Sequence, residues 1–462
     1  MTDALDPVLQ RLDADTDHRL ARLADLLAIP SVSTDPAYAD HLAHAARWLA
    51  EHLRQSRLDA EIIPTDGHGV VLAHTRPEQV ADNAQRRVLF YGYYDVQPPQ
   101  PLELWHTPAF EPTVRDNAIY ARGASDDKGQ VMGLLEALRA HADAGVKLPC
   151  HVTVLIEGEE EIGSVNLPAF IQRHAHRLDA DVALVSDTAM WDAKTPAIVY
   201  ALRGLLYFDI QLHGANRDVH SGIYGGAIPN PAIILTRILA GLVDRDARVS
   251  LEGYYDHVDR LGDEERQQWA DLAFDERGFL DAIGVQRPYG ETGYTTLERL
   301  WARPSCDING LYGGYGGEGG KTIVPNHAGA KVSFRLVAQQ NPDTIADAFH
   351  NWLQSQETWG LTWKIQELGR AWPVAVARDS PYIAAAERAL RQAAGRPPVL
   401  VRAGATIPVV GTLKHQLQLD SLLVGFGLHS DNLHAPNEHI GLDRFHLGCH
   451  THARLLHEIA AA

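Results

Sequence analysis

Acidic side chains stand at the ends of apolar runs in several separate places. Asp95 closes the run in "LFYGYYDVQPP" (89–99), Glu159, Glu160 and Glu161 follow "HVTVLI" (151–156), and Asp187 follows "DVALVS" (181–186). Asp126 and Asp127 stand in "ARGASDDKGQ", just before a helical pattern, and His434 in "SDNLHAPNE" follows another apolar run. Any one of these acids suits a solvated loop or a helix N-terminus, where carboxylates are favoured. Gathered in one crevice they would repel one another and bind protons more tightly, and a bound cation relieves that repulsion. Carboxylates with imidazole form a donor set for zinc, manganese or cobalt. A carboxylate shared by two such ions makes a co-catalytic pair ~3.5–4 Å apart.

The elements that would gather them are legible as alternating strand and helix patterns. Continuous apolar runs mark strands at 69–74, 87–92, 151–156 and 181–186. Helical spacing of leucines and alanines marks 4–28 and 39–56, and "KGQVMGLLEALRAHADAG" (128–145) is an amphipathic helix. Such strands separated by helices imply a mixed, mostly parallel sheet covered by helices on both faces. Ligands in an open α/β sheet bind beyond the carboxyl ends of its strands, which is where the acids stand.

The pattern changes after "YALRG" (200–204). "LLYFDIQLHG" (205–214) alternates as a half-buried strand, a helix is expected at 230–243, and a polar, aromatic-rich stretch runs over 250–310. Strand-like 321–337, a helix at 341–355 and a strand at 361–368 complete an inserted α+β domain. From about 372 the α/β character returns, with a helix at 381–394, strands at 398–402 and 421–426, and a helix at 443–460. The expected organisation is one discontinuous domain, 1–205 with 372–462, interrupted by a second at 206–371.

Bulk properties narrow the function classes. A chain of 462 residues is about three times the ~150 typical of one domain. A formal net charge of −18 repels nucleic acid and anionic membranes, so neither is expected as a partner. The longest apolar run, "AIILTRILAGLV" (232–243), is interrupted by Arg237 and falls short of the ~18 residues of a membrane span. The N-terminus is acidic and amphipathic, without the basic start and apolar core of a secretion signal. Cys150, Cys306 and Cys449 are odd in number and widely spaced, which suits a reducing, cytoplasmic setting without a disulfide framework. "GYGGEG" (314–319) satisfies a dinucleotide glycine pattern but precedes a strand-like run, so it reads as a loop. The chain has no Gly-x-Ser-x-Gly elbow of a serine hydrolase.

Several of these segments occur in a familiar order. "YGYYDVQPPQPLELWHTPAFEPTVRDNAIYARGASDDKGQ" (91–130), "IEGEEEIGS" (156–164), "DVHSGIYGGAIPNP" (218–231) and "HAPNE" (434–438) resemble the carnosinase, glutamate-carboxypeptidase and aminoacylase family of co-catalytic metallopeptidases, and within it the cytosolic dipeptidase branch. The resemblance implies a zinc-peptidase-like fold and hydrolysis of the amide bond of a dipeptide or N-acyl amino acid with a free terminal carboxylate, a metal-bound water acting as nucleophile. It implies Asp126 as a bridge between two metals, Asp187 on the first, and Glu161 with His434 on the second. Glu160 would be the general base, and Asp95 would orient the first-site ligand. His220 would hold the developing oxyanion across a homodimer interface. Arg335 would grip the substrate carboxylate, with Thr406, Gly404 and Asn326 also binding substrate. The insertion would be a lid and dimerisation domain. Zinc is the first choice of ion and manganese or cobalt the alternatives, with one or two per chain.

Three positions depart from the family pattern. The first-site histidine is replaced by Tyr93, and acids common in the dipeptidases are replaced by Ala403 and Ser430. A neutral phenol is a poor ligand, because its pKa near 10 makes ionisation costly. A strongly polarising metal can still deprotonate it. Otherwise a first ion keeps only Asp187 and its share of Asp126. The alternatives to a dipeptidase are a mononuclear or diverged member acting on a non-peptide amide or by non-hydrolytic chemistry, and a catalytically silent ligand-binding dimer.

Overall fold

The computed structural model describes residues 2–462, which form two compact units. The larger comprises the chain to Tyr200 with Val376–Val401 and Pro408–Ala462, and the smaller comprises Ala201–Ala375 with Arg402–Ile407. Among the described residues no helix is long and apolar enough to cross a membrane.

In the larger unit the strands lie in the order Asp59–Ile63, Val70–His74, His151–Glu157, Arg87–Tyr93, Val182–Val185, Ser421–Leu423 and Ala197–Leu202. The four from His151–Glu157 to Ser421–Leu423 are mutually parallel, and antiparallel strands flank them. Successive side chains of a strand face opposite sides of its sheet. Val88 to Tyr93 are all buried, so both faces of this central strand are covered and a continuous apolar run is what it needs. Helix Lys128–Ala144 packs against Leu442–Ala460 and the N-terminal helices. It ends at Gly145, whose left-handed conformation (φ 66°, ψ 22°) suits a residue without Cβ.

Two expectations for this unit are corrected. The single helix at 4–28 is two, Thr2–Ala14 and Thr16–Leu27, because Asp15 leaves helical geometry (φ −103°, ψ 16°) and its carboxylate accepts a hydrogen bond from Arg22. The strand at 421–426 stops at Leu423. Beyond it the chain presses Gly425 onto the Thr188 backbone, where an added Cβ would lie 2.0 Å from the carbonyl oxygen.

The smaller unit is built on a four-stranded antiparallel sheet, ordered Ser305–Gly313, His327–Leu336, Gly204–His213 and Thr362–Ala371. Gly204–His213 alternates strictly between buried and half-buried residues. Its Leu206, Phe208, Ile210 and Leu212 form a core with Ile234 and Leu235 of helix Pro231–Ala240 and Phe349 and Leu353 of helix Pro342–Ser355. The polar stretch 250–310 holds three helices, Asp263–Asp271, Glu276–Ala282 and Thr296–Trp301, and most of the edge strand Ser305–Gly313. The glycine-rich segment 314–319 starts no helix. Residues 402–407 pack with this unit, although in sequence they lie within the returning α/β segment.

Candidate metal centre and substrate-side residues

The parallel strands end at Tyr93, Glu157, Val185 and Leu423, with Tyr93 opposite Glu157 and Tyr91 opposite Val185. Asp95, Glu160, Glu161 and Asp187 therefore leave the sheet along one edge. Asp126 arrives on a loop fastened from the far end of the chain. Fully buried Glu438 accepts hydrogen bonds at Oε1 from the backbone N–H groups of Ser125 (2.9 Å) and Asp126 (3.0 Å). At Oε2 it accepts from Gly123 N–H (3.0 Å) and Arg122 Nη1 (2.6 Å). Asp431, also buried, accepts from Ser125 Oγ (2.9 Å) and is paired with Arg444. The segment bearing His434 thus also holds the segment bearing Asp126.

Asp126, Glu161 and His434 offer ligand atoms that all lie within 4.8 Å of one another. His434 Nε2 is 2.8 Å from Asp126 Oδ2 and 3.4 Å from Glu161 Oε2. Hydrogen bonds to these two carboxylates push the imidazole pKa up to about 10. Glu161 Oε1 is buried and has no hydrogen-bond partner among the described residues, and Gln97 Nε2 fixes Oε2 at 2.8 Å. Two carboxylates and an imidazole around an orphaned buried oxygen fit a divalent ion with a position left open.

Around this triad the acids crowd. The backbone N–H groups of Glu160 and Glu161 donate to Asp95 Oδ1 (3.2 Å) and Oδ2 (3.0 Å). Asp95 therefore anchors the acid-bearing turn. Burial, with the charges of Asp187, Glu161, Asp126 and Asp95, pushes Glu160 up to about 10. Burial and the neighbouring Asp126 and Asp127 charges push Asp187 well above the carboxylate range. Asp127 is displaced likewise by burial and Asp126. Neither of its oxygens has a well-formed hydrogen bond, and the nearby Tyr93 backbone N–H eases its charge only in part.

Tyr93 is 2% exposed. Its hydroxyl donates to Asp126 Oδ1 and also lies against Asp187. Burial and the Asp126 and Asp187 charges hold the phenol well above its ordinary pKa.

The smaller unit gathers a second set. Arg335 Nη1 donates to Thr406 Oγ1 (2.9 Å), Thr406 Oγ1 donates to the Arg203 carbonyl (2.6 Å), and Arg203 Nε donates to the Gly404 carbonyl (3.0 Å). Arg203 escaped the sequence reading because "YALRG" served only as a boundary, although a charge inside an apolar run was a signal. Burial and the Arg335 charge lower its pKa to about 10. Asn326 Oδ1 lies 2.8 Å from His327 Nδ1, and the Asn326 N–H donates to Asp218. His220 is exposed, and its Nδ1 accepts from the Gly222 N–H. Ala403 ends the strand Val399–Ala403, and Ser430 is exposed in the turn His429–Asp431.

Comparison with known proteins agrees with this architecture. The chain is 28% identical over 477 residues to the Cys-Gly metallodipeptidase dug1 of Schizosaccharomyces pombe, spanning 100% of this chain and 99% of that protein. It is 28% identical over 459 residues to the human Beta-Ala-His dipeptidase, spanning 94% and 89%. The crystal structure of the metallo-carboxypeptidase Sso-CP2 from Sulfolobus solfataricus superposes with a TM-score of 0.85 at 32% identity, over 96% of this chain and 99% of that one. The sequence profile of peptidase family M20/M25/M40 matches residues 89–458, and the chain belongs to that family.

Proposed function

We propose that this protein is a metal-dependent hydrolase of dipeptides, and that Glu160 moves the proton. The observation that carries this is the convergence of Asp126, Glu161 and His434 within 4.8 Å, with Glu160 next to Glu161 on the turn that Asp95 anchors. These three residues would hold a divalent ion, zinc first and manganese or cobalt as alternatives. When bound, such an ion polarises the amide carbonyl and acidifies a water molecule. Glu160 takes the proton from the attacking water and delivers it to the leaving amine. A carboxyl whose proton affinity is raised by burial and nearby charges suits that shuttle. Asp95 keeps the turn in place through two backbone N–H groups.

On the substrate side, Arg335 captures the terminal carboxylate, since a guanidinium fork matches a carboxylate in two parallel hydrogen bonds. Thr406 orients Arg335, and Gly404 and Asn326 also bind substrate. The smaller unit serves as lid and dimerisation domain, with His220 of a second copy completing the oxyanion site. Cytoplasmic residence belongs to the same reading and is supported by three free cysteines.

Glu160→Gln tests the proposal. Hydrolysis should fall by about 10²–10⁴-fold, the usual worth of general acid–base catalysis, while metal content stays unchanged. Full activity in that variant would refute it. A second reading, hydrolysis of N-acyl amino acids, is favoured by Ala403 and Ser430, which leave fewer charges to hold a substrate ammonium. Parallel rates on dipeptides and their N-acetylated counterparts separate the two.

A further inference from the structure

The Asp126 carboxylate faces two ways. Oδ2 lies 2.8 Å from His434 Nε2, on the side of the metal triad, whereas Oδ1 accepts the Tyr93 hydroxyl hydrogen. For Asp126 to bridge two ions, Oδ1 would have to face the second of them, and the remaining donor on that side is Asp187. The Tyr93 hydroxyl lies against Asp187 as well. A phenol reaches further from the backbone than an imidazole, so its oxygen ends among the carboxylates and not behind an ion. The ring is not free to withdraw. Tyr93 is 2% exposed, and its backbone is registered against Glu157 at the carboxyl end of the central parallel strand. The residues present therefore fit an ion at Asp126, Glu161 and His434 and do not fit one between Asp126 and Asp187.

We infer that the Tyr93 hydroxyl stands in place of a second ion: the centre holds one divalent cation per chain, and a hydrogen bond, not a metal, engages the far oxygen of Asp126. This rests on the metallohydrolase reading and narrows it. A single-ion centre leaves Asp126 Oδ1 engaged by a neutral donor, so the carboxylate keeps most of its charge for the ion on its other side. Asp187 is then left to face Tyr93 and Asp127. Tyrosine at this position turns a paired-ion geometry into a mononuclear one while Asp95, Asp126, Glu160, Glu161 and Asp187 all stay in place.

The test is metal stoichiometry in wild type, Tyr93→His and Tyr93→Phe. Each protein is saturated with zinc or manganese, dialysed into metal-free buffer, and assayed by elemental analysis and, for manganese, electron paramagnetic resonance. Wild type should hold one equivalent with the spectrum of an isolated ion. Tyr93→His should hold two, with the spectrum of an exchange-coupled pair. Tyr93→Phe keeps the ring volume, guards against misfolding of the histidine variant, and should hold one. Two equivalents or a coupled spectrum in wild type would overturn the inference, as would a folded Tyr93→His that still holds one. Two ions with intact Glu160-dependent hydrolysis would leave the proposed function standing. No ion and no hydrolysis in any variant would remove both.

Discussion

Glu438→Ala tests how the metal centre is positioned. Glu438 touches no proposed ligand side chain, yet its carboxylate accepts three backbone N–H groups from Gly123, Ser125 and Asp126 and one guanidinium N–H from Arg122. Arg122 is 1% exposed and Glu438 0%, so alanine leaves an uncompensated buried cation and three orphaned N–H groups. Breaking one partner of a buried ion pair costs about 3–5 kcal/mol. Each buried donor left unpaired adds about 1–3 kcal/mol, less whatever water enters the space. A loss of at least about 3 kcal/mol is expected in urea unfolding of the metal-free protein. Because Asp126 N–H is one of the lost donors, zinc affinity measured by chelator competition should fall too. Arg122→Leu with Glu438→Leu should recover part of the stability, since the stranded charge is gone, but not the zinc affinity. A loss below about 1 kcal/mol, the level of an exposed pair, with unchanged zinc binding would refute the reasoning.

Further outcomes follow from other residues. Burial pushes Glu157 up to about 7 against an ordinary 4.5, and hydrogen bonds from Tyr91 and Ser164 only partly offset this. A folded-state pKa raised in this way gives stability that is complete below pH 4.5 and lost as pH rises to about 7. Glu157→Gln should remove that slope and stabilise the protein above pH 7 by up to about 3 kcal/mol; identical urea midpoints for both proteins at pH 5 and pH 8 would contradict it. Arg335→Lys should raise KM for free-carboxylate substrates about tenfold or more, with little change for amidated ones, because an ammonium cannot reproduce the paired hydrogen bonds. Gly425→Ala should lower stability by about 1–3 kcal/mol, since its Cβ would meet the Thr188 carbonyl oxygen, and thermal unfolding reads this directly.

The fold was readable where one physical signal dominates. Runs such as 88–91 and 154–156 are apolar throughout because both faces of those strands are covered, and Lys128–Ala144 announces itself by its helical spacing and terminal glycine. Strand ends followed by acids identified the crevice edge. The sequence was silent where structure depends on contacts between distant segments. Nothing about the glutamate of "HAPNE" reveals that it binds the backbone of Gly123, Ser125 and Asp126. Thr295 and Glu298 form a reciprocal helix cap that was legible in "TTLE", but the polar surroundings masked the short helix behind it. Tyr93 stood out as a departure, although the side chain it would address could not be read without coordinates.

The inserted unit separates Asp126 and Glu161 from His434 in the chain, and Glu438 holds Asp126 only once residues close to the final helix are present. Ribosomes deliver chains from the N-terminus, at about 5–20 residues per second. A nascent chain that has already released Asp126 and Glu161 therefore waits for the whole intervening domain before its imidazole exists. The three-residue donor set is therefore complete only after His434 has been made.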